Sequence, residues 1–142
     1  MEALTRPASL VFVLVNLLLS RILLRFPKLN IVFAESSVGW GTYLLEYGDH
    51  QAEQDRLHLE GYPRLSEMFR RCYLTGWYDR ATLKTRSYVP AENILWATNF
   101  PLATSTWPST RDYSARSTDG LPQDARHRIL YENAAELYGV EI

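Results

Sequence analysis

The side chains of this sequence that could do chemistry include one carboxylate at the end of an apolar run. They also include three histidines. Glu35 directly follows such a run, so it could act as an acid, a base or a metal ligand at the end of a strand. The alternative is that it accepts hydrogen bonds and positions the next loop. No two of His50, His58 and His127 are two or four residues apart, as a metal-binding pair would be. Their positions in polar, charged segments indicate surface histidines.

The hydroxyl and thiol side chains do not form a recognisable nucleophile. Ser36 and Ser37 lack the Gly-x-Ser-x-Gly turn of a hydrolase nucleophile. The single cysteine, Cys72, rules out an intrachain disulfide and a cysteine-rich zinc site, and nothing near it indicates an activated thiolate. The sequence also lacks a glycine-rich phosphate loop.

Composition indicates one folded domain over residues 1–142. Hydrophobic residues make up 46% of the 142 residues and charged residues 22%, which is typical of a globular protein. The net charge is −1, and this balance argues against a nucleic-acid-binding protein, because such proteins carry a large positive surplus.

An apolar stretch at residues 10–24 resembles the hydrophobic part of a signal peptide or a membrane anchor. The start carries Glu2 as well as Arg6, and no small-residue cleavage site follows the stretch. Asn16 and Arg21 interrupt it, whereas a spanning helix needs about 20 largely uncharged residues. We therefore expect a buried helix between Ser9 and Pro27, and a cytoplasmic protein without a membrane partner.

Short apolar runs alternate with helical patterns along the rest of the chain. Continuous apolar runs indicate strands buried on both faces, and their alternation with helices predicts an α/β fold with a parallel sheet. The predicted strands are 29–34, 72–77 and 94–98. The predicted helical segments are 41–60, a short turn at 66–71, part of 79–88, 121–131, and 134–138 with Asn133 as its cap; residues 102–120 are predicted to be a long surface loop.

Functional groups of parallel α/β proteins lie at the carboxyl ends of the strands. Here those ends are Glu35-Ser36, Gly76-Trp77-Tyr78-Asp79 and Asn99-Phe100-Pro101. Three aromatic residues near these ends could line a substrate pocket, although buried aromatic side chains more often belong to the core; they are Trp40, Trp77 and Phe100.

Several segments of the chain carry a resemblance to a known family. They are Arg25-Phe-Pro-Lys-Leu-Asn-Ile-Val-Phe-Ala-Glu35, Gly39-Trp40, Tyr43-Leu-Leu-Glu46, Ser66-Glu-Met-Phe-Arg-Arg71, Asn93-Ile-Leu-Trp-Ala-Thr-Asn-Phe-Pro101, Ser105-Thr-Trp-Pro108, and Arg126 to Gly139. These segments resemble the amidohydrolase-related proteins, in the metal-dependent branch that includes aminocarboxymuconate-semialdehyde decarboxylase. The resemblance extends over nearly the whole chain, and its motifs follow the family's order.

The resemblance implies the C-terminal part of a (β/α)8 barrel, about strands six to eight with their helices. It implies a metal-dependent hydrolase or decarboxylase that uses zinc or manganese and acts on a small organic acid, lactone or amide. The family's His-x-His pair has no counterpart here. The family's last strand ends in Asp-aromatic-Pro-His, whereas this chain has Asn99 for the Asp and Leu102 for the His. An amide cannot take a proton from a metal-bound water.

These departures lead to three expectations. The isolated chain should bind no metal at Glu35 or Asn99 and should be inactive. A small-molecule substrate should bind only if an N-terminal half completes the barrel. The alternative is a non-catalytic barrel fragment that associates with itself or with a partner, and we expect self-association because a partial barrel leaves open strand edges.

Overall fold

A parallel three-stranded sheet forms the centre of the chain. The computed structural model describes residues 2–141, and for residues 2–4 and 6 it describes the backbone alone. The strands lie in the order β1-β2-β3, and both pairs are parallel, which confirms the predicted sheet. Phe33 pairs with Leu74, and Gly76 pairs with Trp96. The strands are β1 Ile31–Phe33, β2 Cys72–Gly76 and β3 Ile94–Trp96.

Helices connect the strands and precede and follow the sheet. The α-helices are α1 Glu2–Leu19, α2 Ile22–Arg25, α3 Gly39–Gln54, α4 Leu65–Met68, α5 Ala81–Lys84, α6 Thr110–Ser117, α7 Gln123–His127 and α8 Asn133–Tyr138. Short 3₁₀ helices span Leu57–Glu60, Phe69–Arg71 and Ala91–Asn93, and a π-helical turn spans Arg128–Glu132.

The helices cover one face of the sheet. Cys72, Leu74 and Ile94 lie on this face, are fully buried and belong to the main hydrophobic core. Helices α1 and α3 also contribute side chains to this core, and α3 lies close to β2 because Gly41 has no side chain. The buried side chains of these two helices are Leu14, Leu18, Leu44 and Leu45.

The opposite face of the sheet is less completely covered. It carries Val32, Tyr73, Thr75 and Leu95, since side chains alternate between the two faces of a strand. Thr75 and Leu95 are buried, but Val32 and Tyr73 are only half-buried. None of these four residues belongs to the main core cluster.

The N-terminal helix differs from the prediction of one helix between Ser9 and Pro27. Helix α1 includes Pro7 and ends at Leu19, and Arg21 adopts a left-handed φ of 61° that separates it from α2. Arg21 donates a hydrogen bond to the Glu60 carbonyl oxygen at 2.7 Å, and its guanidinium lies 4.4 Å from the centre of the Tyr62 ring. These contacts favour a break that the apolar pattern does not encode. No helix within residues 2–141 is long and apolar enough to cross a membrane.

The predicted helix 41–60 is wrong at its C-terminal end. Helix α3 ends at Gln54, and Arg56 has a left-handed φ of 56° before the 3₁₀ helix Leu57–Glu60. The sequence remains polar through this break, so neither its composition nor a glycine marks the end of the helix.

Two predictions near the C-terminus are also wrong. Residues 102–120 are not all loop, because α6 lies within them; this helix is polar and has no apolar stripe that periodicity could detect. Asn133 does not cap the last helix. Helical structure continues from α7 to α8, and the Asn133 side chain is buried. Its Nδ2 donates to the carbonyl oxygens of Ala91 and Ile94, at 2.7 and 2.8 Å.

Candidate functional site

The carboxyl ends of the three strands form one edge of the sheet, and a polar residue follows each strand there. Glu35 comes two residues after β1, and Asp79 and Asn99 come three residues after β2 and β3. Neighbouring strands are about 4.8 Å apart, so the axes of β1 and β3 are about 10 Å apart. The predicted site residues Glu35 and Asn99 therefore share an edge but follow its two outer strands.

The turn that carries Glu35 has an unusual backbone. Glu35 has a φ of 53° and Ser37 a φ of 56°, and both values are uncommon for residues other than glycine. Glu35 is half-buried and Ser36, between them, is fully buried. A turn of this kind persists only where surrounding groups hold it.

Thr75 of β2 holds the middle of this turn. The Ser36 Oγ accepts a hydrogen bond from the Thr75 backbone N–H at 2.9 Å and donates to the Thr75 carbonyl oxygen at 3.4 Å. The Ser36 N–H donates to Thr75 Oγ1 at 3.4 Å. Trp40 then donates its indole N–H to the Ser36 carbonyl oxygen at 2.7 Å. Ser36 is thus a structural residue, which agrees with the absence of a nucleophile motif.

Asp79, which the sequence identifies only as a residue at a strand end, holds the end of the same turn. Its Oδ1 accepts hydrogen bonds from the Ser37 hydroxyl, from the Val38 backbone N–H at 3.0 Å and from Thr82 Oγ1 at 3.0 Å. Only 3% of Asp79 is exposed, and its Oδ2 is buried without a hydrogen-bond partner. The signal that could have identified it is an acidic residue within three residues of the end of a buried strand.

Asn99 lies in a second strained turn. Its φ is 56°, a conformation that asparagine tolerates better than most residues. The residue is half-buried, and its amide Nδ2 is buried without a hydrogen-bond partner. Leu102, at the position where the resemblance implies a histidine, is 47% exposed. This turn presents no carboxylate and no imidazole.

The three aromatic residues predicted to line a pocket differ in how far they are buried. Trp40 is half-buried, with its ring edge against Phe33 at a centroid distance of 6.3 Å. Trp77 is 9% exposed and packs edge-on against Tyr78 at 5.0 Å. Phe100 is 62% exposed and contacts Trp107 at 5.5 Å. Trp40 and Trp77 thus pack against the protein, and Phe100 faces outward.

The donors at the strand ends do not fit a bound divalent metal. Such an ion needs three or more converging protein ligands, and carboxylate, imidazole or thiolate groups are preferred. Within residues 2–141 no group of three or more histidine, cysteine, aspartate or glutamate side chains could hold one. Asn99 is neutral, and three hydrogen-bond donors occupy Oδ1 of Asp79.

A large groove lies away from the strand ends. It has a volume of about 910 Å³ and is lined by the second half of α3 and by residues that follow it. His50 and His58 line this groove and are exposed, as expected for surface histidines. Tyr43 and Tyr47, also in the groove, stack with their ring centres 5.9 Å apart.

Comparison with known proteins agrees with the resemblance found in the sequence. The amidohydrolase family matches residues 5–140. A crystal structure of an amidohydrolase from Mycobacterium avium subsp. paratuberculosis K-10 has a similar fold, with a TM-score of 0.79 and 16% sequence identity. The alignment covers 96% of this chain but only 35% of that protein's chain. No curated protein matches the sequence. Because the family match extends over nearly all of its length, the chain belongs to the amidohydrolase family.

Proposed function

We propose that this chain supplies about strands six to eight of a (β/α)8 barrel, as a single unit over residues 1–142, in a hydrolase of the amidohydrolase type. The observation that carries the proposal is the fold similarity to an amidohydrolase of which this chain spans only 35%. A parallel sheet with helices on one face is what three consecutive strands of such a barrel would form.

Open surface supports a partial barrel. The accessible surface is 8990 Å² for a mass of 16.4 kDa, whereas a compact monomer of that mass exposes about 7500 Å². In a closed barrel the sheet face with Val32 and Tyr73 would point inward and would be covered by the other strands. Strands β1 and β3 would pair with the neighbouring strands through their outer edges.

The reaction class follows from the family. We assign the completed barrel hydrolysis of a small lactone or amide, or decarboxylation of a small organic acid, with the decarboxylase-like branch as the preferred relative. Within it Glu35 is the candidate acid or base, because it stands at the edge of the sheet where barrel enzymes hold their reacting groups. Trp40, Trp77 and Phe100 are the candidate lining residues.

Metal binding is the part of the family's chemistry that this chain does not support. Amidohydrolases are generally metal-dependent, and the ligands would have to come from strands outside this chain. The residues that the strand ends offer, Glu35 and Asn99, do not form a ligand set. We therefore derive no catalytic step through a metal from these residues.

A complementation experiment tests the proposal. The purified chain is assayed against a panel of small esters, lactones, amides and carboxylic acids with added zinc or manganese. The assay is then repeated after co-expression with the part of the Mycobacterium relative's barrel that this chain does not cover. We expect turnover only in the co-expressed complex and its loss in Glu35→Gln. Turnover by the chain alone, abolished by Glu35→Gln, would contradict the need for a completed barrel.

A non-catalytic association module is the second candidate. The observation that favours it is the turn at Asn99 and Leu102, which lacks both side chains of the family's pattern. Stable co-purification of the two parts without turnover of any substrate would favour this function. Failure of the two parts to associate would contradict the proposed barrel, and a chain that also does not associate with itself would contradict both candidates.

A further inference from the structure

We propose that Asp79 is a positioning residue for Glu35. The Asp79 carboxylate holds Ser37 and Val38 at the end of residues 35–38, named here the strand-end turn, and thereby orients the backbone from which Glu35 projects. The proposal rests on the proposed function of Glu35, because that function makes its orientation matter.

The hydrogen bonds of Asp79 join the connection between β1 and α3 to helix α5. The Ser37 hydroxyl and the Val38 N–H belong to the connection between β1 and α3, and Thr82 belongs to α5, which follows β2. All three donate to the same oxygen, Oδ1. Because Asp79 is almost fully buried, water competes little for these bonds. One carboxylate thus fixes the end of the turn relative to the next strand connection.

The backbone of the turn needs such a restraint. Glu35 and Ser37 both adopt left-handed φ values, so the turn has two residues in an unfavourable conformation on either side of Ser36. The bonds between Ser36 and Thr75 hold its centre, and those from Ser37 and Val38 to Asp79 hold its end. Without Asp79, Ser37 would be free to relax and would change the direction in which Glu35 leaves β1.

The Asp79 carboxylate occupies the space that a side chain at position 76 would fill. A Cβ atom added to Gly76 would lie 2.9 Å from Asp79 Oδ2 and 3.3 Å from a methyl group of Val38. Asp79 therefore folds back over the last residue of β2, where any side chain would displace it. Gly76 does not have a positive φ, so this close approach, and not its own backbone conformation, accounts for the glycine.

A purely structural role would have a different consequence. When a buried polar residue that only stabilises its surroundings is removed, the backbone that it contacts opens more often, but the Glu35 carboxylate is unaffected. Asn133 is the matched control, because it is also 3% exposed and its side chain also binds backbone groups. Its partners, Ala91 and Ile94, lie at the start of β3 and not at the carboxyl ends of the strands. Asp79→Ala and Asn133→Ala should therefore differ in where they act.

The experiment compares these two variants in the full chain. Amide hydrogen exchange, read by mass spectrometry, reports the strand-end turn, and labelling of Glu35 by a carbodiimide with an amine, followed over pH, reports its carboxylate. In Asp79→Ala we expect exchange of the turn to rise at least tenfold relative to β2, and the Glu35 labelling profile to shift. In Asn133→Ala we expect the turn to change in step with the rest of the chain and the Glu35 profile to keep its midpoint.

Milder variants keep the proposal testable if Asp79→Ala does not fold. Asp79→Asn retains an oxygen acceptor and should show a smaller change in the same direction, and Ser37→Ala and Thr82→Val each remove one donor. Of the two donor variants, only Ser37→Ala should shift the Glu35 labelling profile, since Thr82 does not belong to the turn. An unchanged Glu35 profile in both Asp79→Asn and Ser37→Ala would overturn the proposal. These readouts do not depend on turnover, so an inactive complemented barrel would contradict the proposed function but not the positioning role.

Discussion

The carboxylate of Asp79 lies directly over Gly76, the last residue of β2. The distance from Asp79 Oδ2 to the position that a Cβ of Gly76 would occupy is 2.9 Å. The placement of Asp79 therefore depends on the absence of a side chain at Gly76. It also relates the end of the central strand to the turn that carries Glu35.

Replacing Gly76 with alanine should destabilise the protein by displacing Asp79. We expect the free energy of unfolding to fall by about 1–3 kcal/mol, as for other small-to-large changes at closely packed positions. Urea denaturation measures it. When Gly76→Ala is added to the Asp79→Ala variant, the free energy of unfolding should fall by clearly less, because the carboxylate is absent. An equal loss of stability with and without Asp79 would mean that the added methyl group destabilises the protein through its contact with Val38 instead.

Asn133→Ala should destabilise the chain because it leaves two carbonyl oxygens, those of Ala91 and Ile94, without their donor. We expect a loss of about 1–3 kcal/mol in the free energy of unfolding, the usual cost of an unsatisfied buried group. The control is Asn16→Ala. Its side chain binds the Phe12 carbonyl on an exposed surface, so its removal should change stability little. Similar losses in both variants would be inconsistent with a buried anchor at Asn133.

Cys72 should make stability fall in alkaline solution. Burial raises the pKa of the Cys72 thiol from 9.0 to about 12, against an opposing effect of the Arg71 charge. Well below pH 9 the thiol is mostly neutral in both states, whereas between pH 9 and 12 the unfolded state loses its proton first. The free energy of unfolding therefore declines through this window, by about 1.4 kcal/mol at pH 10.

The Cys72 contribution is isolated by comparison with Cys72→Ala. The stability difference between the two proteins should shrink as the pH rises above 9. A difference that stays constant from pH 7 to 11 would contradict the raised pKa. The folded protein should also react with a thiol reagent at pH 8 much more slowly than the unfolded protein, because the reactive thiolate is absent.

The isolated chain should bind no stoichiometric zinc or manganese at the strand ends. The reason is the donor set: Glu35 and Asn99 follow different outer strands, and Asn99 is an amide. Metal analysis after equilibrium dialysis checks this. About one equivalent of metal that is lost in Glu35→Gln would contradict it.

Restoring two family side chains should not create activity in the isolated chain. Asn99→Asp with Leu102→His rebuilds the end of the last strand, but the histidine ligands of the family remain absent. We expect no turnover of ester, lactone or carboxylate substrates above the buffer rate. Turnover by this double variant alone would mean that the chain holds a complete site.

The purified chain should associate. Strands β1 and β3 each have one edge that pairs with no other strand of the sheet, and Phe12 and Val13 of α1 are 73% and 52% exposed. Unpaired edges and apolar side chains favour contact with another copy. Sedimentation velocity at micromolar concentration measures it. A monodisperse 16.4 kDa monomer with a cooperative thermal transition would contradict the prediction.

The sequence by itself determined the strands and the family. Continuous apolar runs marked β1, β2 and β3, since strands buried between layers need apolar side chains on both faces. The motifs around Glu35 and Asn99 carried the family resemblance, which the match over residues 5–140 confirms. Such information is local, because a strand core and a motif each lie within a few consecutive residues.

Only the tertiary structure decided the helix breaks and the role of Asp79. The residues with left-handed backbone at these breaks are Arg21 and Arg56. Because neither is glycine, the residue type does not predict where the helices end. Asn133 looks like a cap in sequence but binds carbonyls about 40 residues away, at Ala91 and Ile94. Likewise, the partners of Asp79 at Ser37 and Val38 lie about 40 residues before it. A buried polar group is specified by the groups that surround it in space, and their sequence separation leaves no local pattern.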